Sequence, residues 1–85
     1  MRTEITLPEL GLPDGLPVTL SVWYAEQGDV VFEGDRLVEV LTDGATFDVP
    51  SPATGLLLER WAYPRDILRP GQVLGVVEAE EEVTR

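Results

Sequence analysis

The chain of 85 residues contains no lysine; all six of its basic residues are arginines. It therefore has no side-chain amine that could form an amide or a Schiff base. Histidine is also absent, which removes the commonest general base and the commonest transition-metal ligand. With no cysteine there is neither a disulfide nor a thiolate site. Asparagine is missing, and glutamine occurs only as Gln27 and Gln72. No apolar run approaches the roughly 20 residues of a membrane span. The start Met1-Arg2-Thr3-Glu4 lacks the apolar stretch of a signal peptide. A cytoplasmic protein with no membrane association is the expectation.

Sixteen acidic residues against those six arginines give a formal charge of −10. Such a surface repels phosphate backbones and argues against nucleic-acid binding. It suits a basic protein surface, or solubility alone. Catalysis is not expected. Ser21 and Ser51 have no histidine or lysine to activate them. The carboxylate pairs Glu33/Asp35 and Glu39/Asp48 would need a pocket to separate their pKa values, and a thin β-domain rarely supplies one. No metal site is expected either: the run Glu78-Ala79-Glu80-Glu81-Glu82 reads as a solvated acidic tail, not as a convergent oxygen cage. The domain is taken as residues 1–79, with 80–85 as that tail.

Hydrophobic content is 44%, enough for a globular core in one small domain that buries about 60–65% of its unfolded surface. Turn residues punctuate the chain: Pro8 to Pro17, Gln27-Gly28-Asp29, Glu33-Gly34-Asp35, Asp43-Gly44, Pro50-Ser51-Pro52, Pro64-Arg65-Asp66 and Pro70-Gly71. The short runs between them are rich in Val, Leu and aromatics, and no stretch shows helical periodicity. An all-β sandwich or barrel follows, with strands expected at 2–7, 18–25, 30–32, 37–42, 45–49, 55–62, 67–69 and 73–78. A shift of 37 residues superposes Leu20 on Leu57, Ala25 on Ala62, Asp29 on Asp66, Gly34 on Gly71, Leu37 on Leu74 and Val40 on Val77. Two such units can bury each other's apolar faces, which neither could do alone.

Asp43-Gly44 between alternating strands signals a two-residue hairpin. Its register would pair Thr42 with Ala45, Val40 with Phe47 and Val38 with Val49 on the core side. Leu41 and Thr46, then Glu39 and Asp48, would face outward. Glu39 opposite Asp48 is a like-charge pair costing up to about 1 kcal/mol, and Leu41 is an exposed apolar residue one step from the tip.

With hairpin and repeat in hand, the chain resembles the lipoyl/biotinyl attachment domains. The motifs are Glu26-Gln27-Gly28-Asp29, Glu33-Gly34-Asp35, Leu37-Val38-Glu39-Val40, Thr42-Asp43-x-Ala45-Thr46, Val49-Pro50-Ser51-Pro52, Gly55 and Gly71-Gln72-Val73-Leu74, together covering residues 2–79. The resemblance implies a flattened β-barrel of two four-stranded antiparallel sheets related by a pseudo-twofold. It also implies that hairpin 42–45 lies at one end and both termini at the other. Biotinyl domains flank their lysine with methionines. Here the flanks are Asp43 and Ala45, so the lipoyl branch fits better. The loop from Pro8 to Pro17, with Asp14 and Leu16, resembles the family's recognition loop beside the attachment turn.

Two departures from the family pattern stand out. Arg65 takes the place of a turn glycine in the second repeat, and Gly44 takes the place of the lysine that carries the cofactor. The resemblance thus implies a module of the kind found in 2-oxoacid dehydrogenase complexes, yet without bound cofactor. Its partner-binding candidates are Leu41, Thr42, Asp43, Thr46, Asp14 and Leu16. A dehydrogenase-complex, acyltransferase or ligase subunit is the partner implied. Two alternatives stay open: reuse of the fold as an unrelated structural or regulatory domain, and an engineered unmodified carrier.

Overall fold

Short apolar-polar alternations between glycine and proline turns become eight antiparallel strands, since period-two patterning buries one face of each. The computed structural model describes residues 1–13 and 15–79. The strands are β1 Arg2–Thr6, β2 Val18–Trp23, β3 Val30–Val31, β4 Arg36–Thr42, β5 Ala45–Pro50, β6 Gly55–Arg60, β7 Ile67–Leu68 and β8 Val73–Ala79. They form two four-stranded sheets, ordered β1-β8-β6-β3 and β5-β4-β2-β7, in a flattened sandwich. Asp14 and the acidic tail 80–85 lie outside the described residues.

The 37-residue repeat is physical. It carries β2 onto β6, β3 onto β7 and β4 onto β8, and each copy sends its short middle strand into the other copy's sheet. The bulge between Leu20 and Val22 recurs between Leu57 and Glu59. Hydrogen bonds are exchanged reciprocally across the pseudo-twofold. Gly28 N–H donates to Leu57 O and Arg65 N–H to Leu20 O, each at 2.8 Å; Leu57 N–H reaches Asp29 O and Leu20 N–H reaches Asp66 O. In the core, Leu20 and Leu57, Leu37 and Leu74, and Val40 and Val77 are all fully buried. Each such side chain contributes about 1.5–3 kcal/mol of apolar burial.

Strands β2 and β6 stop at Trp23 and Arg60, two residues short of expectation and at matching points of the repeat. The reason is the turn that follows. Asp29 Oδ2 accepts the Glu26 N–H at 2.8 Å, and Asp66 Oδ2 accepts the Tyr63 N–H at 2.9 Å. These carboxylates draw the backbone into a turn before the ladder can continue. In between, Ala25 and Ala62 are buried.

The turns differ at one residue. Gly28 has φ of 94°, and its counterpart Arg65 has φ of 78°. The left-handed region costs an L-residue with a Cβ about 1–2 kcal/mol, of which glycine's extra unfolded-state entropy recovers about 0.5–1. Arg65→Gly is therefore expected to raise unfolding free energy by up to about 1 kcal/mol. The measurement is a higher urea midpoint at unchanged slope; an unchanged or lower midpoint would refute the strain.

Candidate functional site

The hairpin joining β4 and β5 has the expected two-residue loop. Thr42 pairs with Ala45, Leu41 with Thr46, Val40 with Phe47, Glu39 with Asp48 and Val38 with Val49. Asp43 at φ 47° and Gly44 at φ 76° are the two left-handed positions of a type I′ turn. A Cβ built on Gly44 would meet nothing within 4 Å, so the tip points into solvent.

The faces divide largely as the register requires. Val38, Val40, Thr42 and Val49 are buried, and Phe47 is half-buried. Ala45 shares their side of the ladder but is exposed. Thr42 is 2% exposed, and its hydroxyl has no hydrogen-bond partner among the described residues. It therefore presents no side-chain surface to a partner. Leu41, Asp43 and Thr46 are exposed.

Loop 8–17 re-enters the fold at Val18, which pairs with Leu68; the next residue, Thr19, pairs with both Ile67 and Leu41. The loop therefore ends at the same end of the sheet as the tip. At the opposite end, the Ala79 N–H donates to the Met1 carbonyl at 2.7 Å. Leu16 is half-buried and lines a cleft of about 410 Å³ beside β7. A row Ile67–Thr19–Leu41–Thr46 crosses the outer face of the sheet. Ile67, 69% exposed, escaped the sequence reading as a surface candidate. Its counterpart in the repeat, Val30, is exposed as well.

The like-charge pair Glu39/Asp48 is relieved from two sides. Tyr24 Oη donates to Glu39 Oε2 at 3.0 Å. The Arg36 guanidinium lies 4.6 Å from the Tyr24 ring centroid and 3.8 Å from Asp48 Oδ2. The bond to Glu39 raises the Tyr24 pKa above its ordinary 10.0, since accepting that proton requires the neutral phenol; desolvation and the charges of Glu39 and Asp48 push the same way, against Arg36. This exposed network is held by cation–π stacking and an ion pair of modest strength.

Taken together, the tip and its surroundings present a shaped surface on which Leu41, Asp43 and Thr46 are exposed. Among the described residues no three acidic side chains converge to hold a metal ion.

Residues 3–77 match the biotin/lipoyl family profile, described as "Biotin-requiring enzyme". The chain belongs to the biotin/lipoyl attachment family. Relatives include the dihydrolipoyllysine-residue succinyltransferase component of the 2-oxoglutarate dehydrogenase complex of Bartonella vinsonii subsp. berkhoffii. It is 39% identical over 79 residues, covering 93% of this chain and 19% of that protein. The lipoamide acyltransferase component of the branched-chain alpha-keto acid dehydrogenase complex of Pseudomonas aeruginosa is 36% identical over 77 residues, covering 89% and 18%. The chain thus spans about a fifth of the length of these relatives. Among solved structures, the lipoyl domain of the 2-oxoglutarate dehydrogenase complex from Azotobacter vinelandii superposes with a TM-score of 0.69 at 23% identity, covering 89% of this chain and 99% of that one. That likeness concerns the biotin/lipoyl family fold.

Proposed function

We propose that this member of the biotin/lipoyl family is a lipoyl-type module that carries no covalent cargo and works by protein recognition, without catalysis. One observation carries the reading. The tip position between Asp43 and Ala45 is Gly44, and the chain has no lysine anywhere. Lipoylation and biotinylation form an amide with a side-chain amine, and this chain has none to offer. The α-amine of Met1 is no substitute, since it sits at the far end of the sandwich, 3.7 Å from Glu78 Oε1.

The matched relatives are components of dehydrogenase complexes by name. They support a partner of that kind: a dehydrogenase, acyltransferase or ligase subunit. The contact surface is assigned to the outer tip face, where Leu41, Asp43 and Thr46 are exposed, with Leu16 beside it.

The test has two readouts. After incubation with lipoate or biotin, ATP and the matching ligase, the intact mass of the chain should be unchanged. Immobilised on a column, the chain should retain a dehydrogenase-complex, acyltransferase or ligase subunit from its own cell extract. A mass gain overturns the cargo-free reading. Specific retention of a partner unconnected with those enzymes supports instead a fold reused for another structural or regulatory purpose.

A further inference from the structure

Strands β1 and β5 each stand at the edge of a sheet, with a paired neighbour on one side only. A groove of about 210 Å³ opens where they meet. Ile5 and Val49, 1% and 3% exposed, form its floor, and Pro8, Pro50 and Pro52 stand in its walls. Each proline fixes φ, so the groove is largely pre-formed. Its volume falls below the roughly 300–1,000 Å³ of small-molecule pockets. It suits one long side chain that lays its apolar stem inside and keeps a charged head at the rim.

The sign of that charge is set by the lining. Among its described residues Glu4 is the only charged one. Glu4 has no ion pair among the described residues, whereas Arg2 on the same strand lies 3.8 Å from Glu78 Oε2. The row Glu4–Val76–Glu59 brings a second carboxylate onto the same face of the sheet. The local charge thus agrees with the net charge of −10, and both steer a basic segment to this edge.

The backbone supplies the second half of a docking site. The Ala79 N–H donates to the Met1 carbonyl at 2.7 Å, and the Met1 amine to the Ala79 carbonyl at 3.4 Å. Hydrogen-bonded pairs alternate along an antiparallel ladder, so Thr3–Val77 is the next such pair. Arg2 and Glu4 therefore turn their N–H and C=O groups to the open edge, where an extended chain can pair with them. The β5 edge is less open. Pro50 has no N–H to offer, and Asp48 Oδ2 lies 3.8 Å from Arg36.

We infer that the β1 edge and its groove receive an extended basic segment of a partner protein. The segment pairs with Arg2 and Glu4 through its backbone. One of its lysine or arginine side chains lies over Ile5 and Val49, with the head group on Glu4. None of these residues belongs to the tip face at Leu41, Asp43 and Thr46, and the inference stands without that reading.

The probe is a capped pentapeptide of alternating threonine and valine with lysine at its centre, titrated into the 13C-methyl-labelled chain. It should shift the Ile5, Thr6 and Val49 methyls saturably and slow solvent exchange of the Glu4 amide. Glu4→Gln should weaken binding about tenfold, the worth of one charge-assisted contact. Glu26→Gln removes the same charge from an exposed turn and should leave the affinity unchanged. The same peptide with glutamate at its centre should give no saturable shift. The inference is overturned if the lysine peptide fails to saturate these methyls by about 10 mM, or if Glu4→Gln leaves its affinity unchanged. It is overturned equally if Glu26→Gln weakens binding as much as Glu4→Gln, if the Glu4 amide exchanges as fast with peptide as without, or if the glutamate peptide binds as tightly.

Discussion

Gly55→Ala is expected to lower the unfolding free energy by roughly 2–3 kcal/mol, the cost of forcing a carbon into a space already filled. A Cβ at Gly55 would collide with backbone: the Glu78 carbonyl, with Glu78 C at 2.8 Å and Ala79 Cα at 2.9 Å. Backbone cannot yield as a side-chain tip can. The strand pair β6–β8 would have to part at the Gly55–Ala79 rung. The repeat supplies the control. Val18 is the counterpart of Gly55, yet the β2–β4 ladder ends at Thr19–Leu41 and makes no such rung. Val18 therefore keeps its side chain, buried at 6% exposure. For a domain of this size each kcal/mol moves the melting temperature by about 4–8 °C, so a loss of roughly 8–24 °C is the expected reading. A melting temperature within about 2 °C of the parent would show that the sheet absorbs the methyl group.

Gly44→Lys is expected to give a chain that gains a single lipoyl group on incubation with lipoate, ATP and a lipoate ligase, read as a stepwise increase in intact mass. The side chain would enter open solvent, since nothing lies within 4 Å of the Cβ position. Asp43 and Ala45 would flank it on a two-residue turn. The cost is local: lysine at φ near 76° gives up about 1 kcal/mol relative to glycine, visible as a lower urea midpoint. Failure of the folded variant to gain mass would show that the surfaces around the tip have also left lipoate chemistry, and would favour the reused-fold alternative.

Much of this architecture is legible in the sequence because its determinants are local. Asp43-Gly44 fixes the hairpin, and two-residue loops fix register. Glu39 and Asp48 would be buried by a one-residue slip, so the register has no competitor. The 37-residue match locates six of the eight strands by pairs. What is not legible arises where chain segments distant in sequence meet. The Tyr24–Glu39 bond depends on the bulge between Leu20 and Val22, which sets the phase of everything after it. Arg65, in its left-handed turn, also reaches across the pseudo-twofold, its N–H donating to the Leu20 carbonyl in the other half of the chain. The cleft at β7 needs Leu10, Leu12 and Leu16 beside Ile67–Pro70, and nothing near either segment announces the other.

The reciprocal bonds across the pseudo-twofold also bear on how the chain is born. During synthesis the turn at Gly28 is complete as covalent structure long before its acceptor, the Leu57 carbonyl, has been made. The hairpin tip emerges while its sheet still lacks β7, the strand at the sheet's far edge. The first half therefore leaves the ribosome before the bond that ties its turn to the other half can form. Completion of the sandwich must wait for the second half: a polypeptide truncated between Gly44 and Leu57 lacks both the cross-twofold bonds and the core side chains of Leu57, Leu74 and Val77.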